Sequence, residues 1–165
     1  MLPHGNPPDI VIRSNVTTDG WAPVGGWVEV AAHNDGGFAF TGHIHNSGAV
    51  NIRFTLAAAL VTPTGQCFGF ARNNRLVQGT EVLIGRTRDD NWNDGGNDVE
   101  IRRNWDQVSR SQLHWRLVAA STVGARLEAL VEDIAKEGLK LLRKSLSATP
   151  QGQAANFYLK MLKSI

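Results

Sequence analysis

Two histidines stand two residues apart in Phe40-Thr41-Gly42-His43-Ile44-His45. Along a β-strand alternate side chains leave the same face, about 6.5 to 7 Å apart at Cα, so His43 and His45 would present two imidazoles side by side. Such a pair can share a metal ion, exchange hydrogen bonds with a ligand or carry protons. Zinc needs a third and usually a fourth ligand, and no further His, Cys or carboxylate is spaced recognisably around the pair. The plainer reading is two partly exposed histidines on the solvent face of a sheet.

A second cluster lies in Arg86–Asp98, RTRDDNWNDGGND, a stretch rich enough in Asp, Asn and Gly to read as a long loop. From Asp89 onward, oxygen-bearing residues occupy the first, third, fifth, ninth and twelfth positions of an EF-hand-like frame. That frame makes Asp89, Asn91, Asn93 and Glu100 candidate calcium ligands. It is incomplete, because Asp94 stands where the sharp turn wants glycine and Gly96 where an aliphatic residue is wanted. Otherwise the Asp and Asn side chains serve as turn and cap acceptors. Of five tryptophans, Trp21 and Trp92 sit in such polar, Gly-rich surroundings and are the two expected outside the core. An aromatic ring beside Asp and Asn can hold a sugar by stacking and hydrogen bonding, although a loop tryptophan can equally plug the end of a sandwich. No phosphate loop, nucleophile elbow or zinc-protease helix is present, so nothing motivates catalysis beyond a metal-dependent enzyme built on His43 and His45. The single cysteine, Cys67, excludes an intrachain disulfide and reads as a core or half-buried residue.

These residues need a sheet to position them. Trp27–His33 and Phe38–His45 alternate around Asn34-Asp35-Gly36-Gly37 and read as a β-hairpin. A three-residue loop, Asn34-Asp35-Gly36, sets Ala32 opposite Phe38, Val30 opposite Phe40 and Val28 opposite Gly42, whereas a two-residue loop would oppose Val28 to His43. The three-residue loop keeps apolar against apolar, sets Trp27 opposite His43 and puts Glu29 on the same outward face. Asn51–Val61 alternates likewise, and a loop at Pro63-Thr64-Gly65 sets Leu60 opposite Phe68 and Ala58 opposite Phe70. A polar turn at Arg72-Asn73-Asn74-Arg75 and a fifth strand over Thr80–Ile84 would follow. Val99–Val108 and Gln112–Ala120 read as short helices or a further strand.

From Val123 the period changes. Leu127, Leu130, Val131, Ile134, Leu141 and Leu142 recur at helical spacing, with Glu128, Glu132, Lys136 and Lys140 between them. Thr149-Pro150 then caps a second stripe of Phe157, Tyr158, Met161, Leu162 and Ile165, so 123–165 reads as a helical hairpin. The fold class is therefore α+β: an antiparallel β-sandwich or small barrel over 1–122, followed by a basic amphipathic helical tail over 123–165. The tail is expected to pack on the same domain, on a partner or in a homo-oligomer.

The 165 residues carry a net charge of +2, with basic residues prevailing only in the tail. That charge permits contact with an anionic membrane surface and a membrane-active or toxin-associated role, against which Glu128, Glu132, Asp133 and Glu137 weigh. Nucleic-acid binding has no basic-and-aromatic strand pattern behind it. No secretion signal or apolar run of spanning length is seen, which leaves the compartment open. Phe40-Thr41-Gly42-His43-Ile44-His45-Asn46-Ser47-Gly48 and Arg88-Asp89-Asp90-Asn91-Trp92 resemble elements of uncharacterised bacterial β-rich proteins over about residues 20 to 110; the resemblance implies no activity. The functional expectation is a non-catalytic module that binds a carbohydrate or protein ligand through Trp27, Glu29, His43, His45 and Trp92, without a resident cofactor.

Overall fold

A computed structural model describes residues 8–18, 20, 22–80, 87–119 and 159–161. The strands are β1 (Ile10–Val16), β2 (Val24–Ala32), β3 (Gly37–Asn46), β4 (Ile52–Val61), β5 (Cys67–Val77), β6 (Asp89–Asn97), β7 (Gln112–Ala119) and β8 (Leu159–Met161). Two short helices, α1 (Val99–Arg103) and α2 (Trp105–Val108), lie between β6 and β7. The strands form two four-stranded sheets, ordered β1-β2-β3-β6 and β7-β4-β5-β8. All pairings are antiparallel except that of β5 with β8, and the sheets do not close into a barrel.

Alternation places the core. Val28, Val30, Phe40 and Ile44 of the first sheet meet Phe54, Leu56, Leu60, Phe68 and Phe70 of the second in one cluster, each at most 2% exposed. The Phe40 and Phe70 rings touch across the interface with centroids 5.4 Å apart, and Phe38 meets Phe70 edge-on at 5.7 Å. Both hairpins have the register that apolar matching requires: Ala32, Val30 and Val28 face Phe38, Phe40 and Gly42, and Leu60 and Ala58 face Phe68 and Phe70. Gly36 and Gly65 carry the positive φ of the two loops, at 96° and 84°.

Several expectations are corrected. Arg72-Asn73-Asn74-Arg75 is not a turn, because β5 runs through it with a bulge that sets Asn73 and Asn74 against Thr55 alone. The expected loop 86–98 is largely strand β6, paired with β3 from His45↔Asp89 to Gly37↔Asn97. The 99–120 region contains both alternatives, two short helices and then strand β7. Strand β1, in the stretch before Trp27, pairs with β2 along its whole length. The fifth strand expected over Thr80–Ile84 lies outside the described residues apart from Thr80, which stands in a turn. The helical hairpin of 123–165 also lies outside them, except that Leu159–Met161 forms strand rather than helix.

Close approach makes one glycine indispensable. Gly42 faces Trp92 across β3 and β6, and a Cβ there would lie 2.1 Å from the indole Cζ2. Gly42→Ala is expected to lower the unfolding free energy by about 1–3 kcal/mol, as overpacking does. In urea denaturation the double variant Gly42→Ala/Trp92→Leu should recover part of that loss beyond additivity. Wild-type stability in Gly42→Ala would mean that the indole is not seated on Gly42.

Candidate functional site on the first sheet

The outward face of the first sheet carries side chains in rows across its strands. One row runs Asn15, Trp27, His43 and Asn91; a second runs Arg13, Glu29, Thr41 and Asn93; a third sets Gly25, His45 and Asp89 side by side. The consecutive strands β1, β2 and β3 and the sequence-distant β6 thus meet in one polar patch. His45 Nδ1 lies 2.7 Å from Asp89 Oδ1, and His43 Nδ1 lies 2.8 Å from Asn91 Oδ1. His43 Nε2 lies 3.5 Å from the same Asp89 oxygen, so this carboxylate sits between the two imidazoles. The rings stand nearly parallel with centroids 6.5 Å apart, as alternate strand positions dictate.

The carboxylate sets the tautomer of His45. A carboxylate only accepts, so Nδ1 of His45 donates to Asp89, and in the neutral ring Nε2 is left as an acceptor. Gly25, opposite His45, adds no side chain that would cover the ring. At the other margin the Arg13 guanidinium lies 3.9 Å over the Trp27 ring and reaches Glu29 at 4.0 Å. That cation occupies a face of Trp27 that could otherwise stack on a ligand.

Not all the expected site residues meet. Trp27, Glu29, His43 and His45 share the patch, joined by Asp89 and Asn91, two of the expected calcium ligands, and by Arg13. Trp92 does not belong to it: it is 6% exposed and points into the core, its ring 5.5 Å from that of Phe40. An EF-hand-like loop is excluded by the strand itself. Alternation turns Asp89, Asn91 and Asn93 outward and Asp90, Trp92 and Asp94 inward, so their oxygens do not converge on a point. Glu100 belongs to α1, where its carboxylate accepts from Arg103 at 2.9 Å and its backbone N–H is capped by Asp98 at 2.8 Å. Among the described residues no group of three or more His, Cys, Asp and Glu side chains is placed to hold a metal ion. No hydroxyl or thiol among them is hydrogen-bonded to either histidine, and burial pushes the Cys67 thiol up to about 11, far from a reactive thiolate. Trp21 lies outside the described residues.

Strand β6 delivers Asp89 and Asn91 to the patch, and its inward side has to be satisfied for it to pair at all. Asp90 projects towards the second sheet and is 7% exposed. Arg72 grips it with two hydrogen bonds, Nε to Oδ2 at 2.8 Å and Nη2 to Oδ1 at 2.9 Å, and Arg75 adds Nη2 to Oδ1 at 3.0 Å. The bulge makes this possible. By adding one residue it restores parity, so that Arg72 opposite Leu56 and Arg75 opposite Phe54 both face inward. Arg72 also lies 5.4 Å over the Trp92 ring.

No family model, curated protein or solved structure matches the chain. No helix of the described residues is long and apolar enough to cross a membrane.

Burial alone would raise the affinity of Asp90 for a proton, but hydrogen bonds and charge from Arg72 and Arg75 outweigh it and hold the carboxyl below its ordinary value. A depressed folded-state value means that the stabilisation is complete above the unfolded carboxylate value of about 4 and fades as pH falls below it. Asp90→Asn is expected to cost about 3 kcal/mol near neutrality, the lower end for breaking a buried pair because Arg75 is half-exposed. Urea denaturation of both proteins from pH 7 to pH 3 should show the gap narrowing as pH falls. A gap independent of pH would show that the Asp90 charge is not what holds β6.

Proposed function

We propose that the chain is a non-catalytic binding module whose ligand surface is the outward face of the first sheet, centred on His43, His45, Asp89 and Asn91. The observation that carries this reading is the shared carboxylate. Asp89 orients one imidazole and approaches the other on a face that water reaches, where the fold gains little from such an arrangement. Oriented imidazole, amide and carboxylate groups in adjacent rows suit a hydroxyl-rich ligand such as a saccharide, which offers donors and acceptors in turn. The rows through His43 and His45 contain no exposed aliphatic residue, which favours this ligand over a protein partner seated on an apolar centre. Recognition would rest on hydrogen bonds more than on stacking, since Arg13 covers Trp27.

An array of oligosaccharides followed by titration calorimetry on any hit tests this. His45→Ala and Asp89→Ala should each weaken binding at least about tenfold, the effect of removing an anchoring polar group, while Val11→Ala, beyond the Arg13–Glu29 row, should leave it unchanged. An array without hits, or hits indifferent to both substitutions, would refute the proposal.

A further inference from the structure

The two sheets treat their outward faces differently. That of the first is wet and polar, whereas that of the second is small, apolar and shut off from water. Ala57, Ala59 and Val61 of β4 with Cys67 and Ala71 of β5 share this second face, and none is more than 3% exposed. They are not part of the cluster between the sheets, which takes the alternate residues Leu56, Ala58, Leu60, Phe68 and Phe70. At the margin of the same face stand Arg53, half-buried Thr55 and, on β7, His114 and Arg116, each engaged in an interaction.

Topology says what crosses this face. Strands β7 and β8 lie at opposite edges of the second sheet. Since β7 and β5 both oppose β4, and β8 runs with β5, the two edge strands point the same way. A connection between parallel strands of one sheet passes over a face, usually as a helix. The inner face is filled by the first sheet, which leaves the outer face for such a connection. Between β7 and β8 in the sequence, 123–142 carries the apolar helical stripe, and Glu128 and Glu137 flank that stripe on its two sides.

We propose that the amphipathic segment 123–142 docks in cis on the outer face of the second sheet, its Leu127, Leu130, Val131 and Ile134 on Ala57, Ala59 and Ala71 and its acidic flanks towards Arg53 and Arg116. Alanines on the sheet let a large-residue stripe approach closely, so the segment supplies the bulk that the sheet lacks. The segment is then a third layer of the domain and its apolar face is not free to enter a membrane.

Cys67 lies in the covered face and is the chain's one cysteine, which makes it the reporter. In the full-length protein its reaction with a disulfide reagent should be at least about 100-fold slower than in urea, and Ile134→Asp should speed it at least about tenfold while the strand circular dichroism persists. Oxidative cross-linking reads the same contact in variants that keep the stripe apolar. Among Leu130→Cys, Val131→Cys, Ile134→Cys and Lys136→Cys, a stripe position should form an intramolecular disulfide with Cys67 and the Lys136 variant should not. Disulfides between two chains, or cross-linking no better from the stripe than from Lys136→Cys, would overturn the proposal. So would a native Cys67 that reacts at the unfolded rate.

Discussion

Pairing of β6 with β3 rests on one carboxylate being satisfied away from water. Asp90 faces inward because its neighbours Asp89 and Asn91 face outward, and a strand has no third direction to offer. An isolated buried carboxylate would expel the strand from the sheet. Two arginines of the opposing sheet prevent this, and both can do so only because β5 is bulged between them. Bulge, ion cluster, strand pairing and histidine patch are thus successive links. The patch borrows its order from an interaction on the other side of the strand.

Where the hydrophobic pattern was strong, the sequence could be read closely. The hairpin of β2 and β3 and that of β4 and β5 were legible down to individual opposed residues, because one slipped register would have driven phenylalanines to solvent. Strand β6 was not legible, and the reason is chemical. Its inward positions are Asp90, Trp92 and Asp94, so alternation is present without the apolar-in, polar-out contrast that reveals it. The same holds for Arg72-Asn73-Asn74-Arg75, whose composition belongs to turns but whose arginines have a buried partner. A clue existed in the pair itself, two arginines and an aspartate in neighbouring polar stretches, but their pairing is a tertiary fact. The same lack of contrast hides that Trp92, expected on a ligand surface, lies against Phe40, and that Asp89 and Asn91 touch the histidines.

Polar stitches tie the two sheets together, among them the hydrogen bond from Asn46 Nδ2 of β3 to the Val77 carbonyl of β5 at 3.3 Å. On one side the Arg72 and Arg75 grip on Asp90 joins β5 to β6; on the other, Trp115 Nε1 of β7 donates to Ser14 Oγ of β1 at 3.0 Å. Between them the interior cluster is aliphatic and aromatic, so the polar groups that tie the sheets together lie at its margins, where each meets a partner. Phe40 and Phe70 fill the middle and need no directional partner of that kind, whereas the indole N–H of Trp92, packed beside them, is buried without an acceptor among the described residues.

The composition of β6 has a consequence for the free molecule. Among the described residues it forms the rim of the first sheet, and a rim strand with unpaired amides is a template onto which another chain can add. Asp, Asn and Gly are poor strand formers, and a docking chain would bring its own side chains against Asp94 and the bare backbone of Gly95 and Gly96. The strand holds its place because Arg72 and Arg75 reward it there, and it offers little reward to a newcomer. The polar run that disguises β6 in the sequence therefore guards the sheet against growing by accretion.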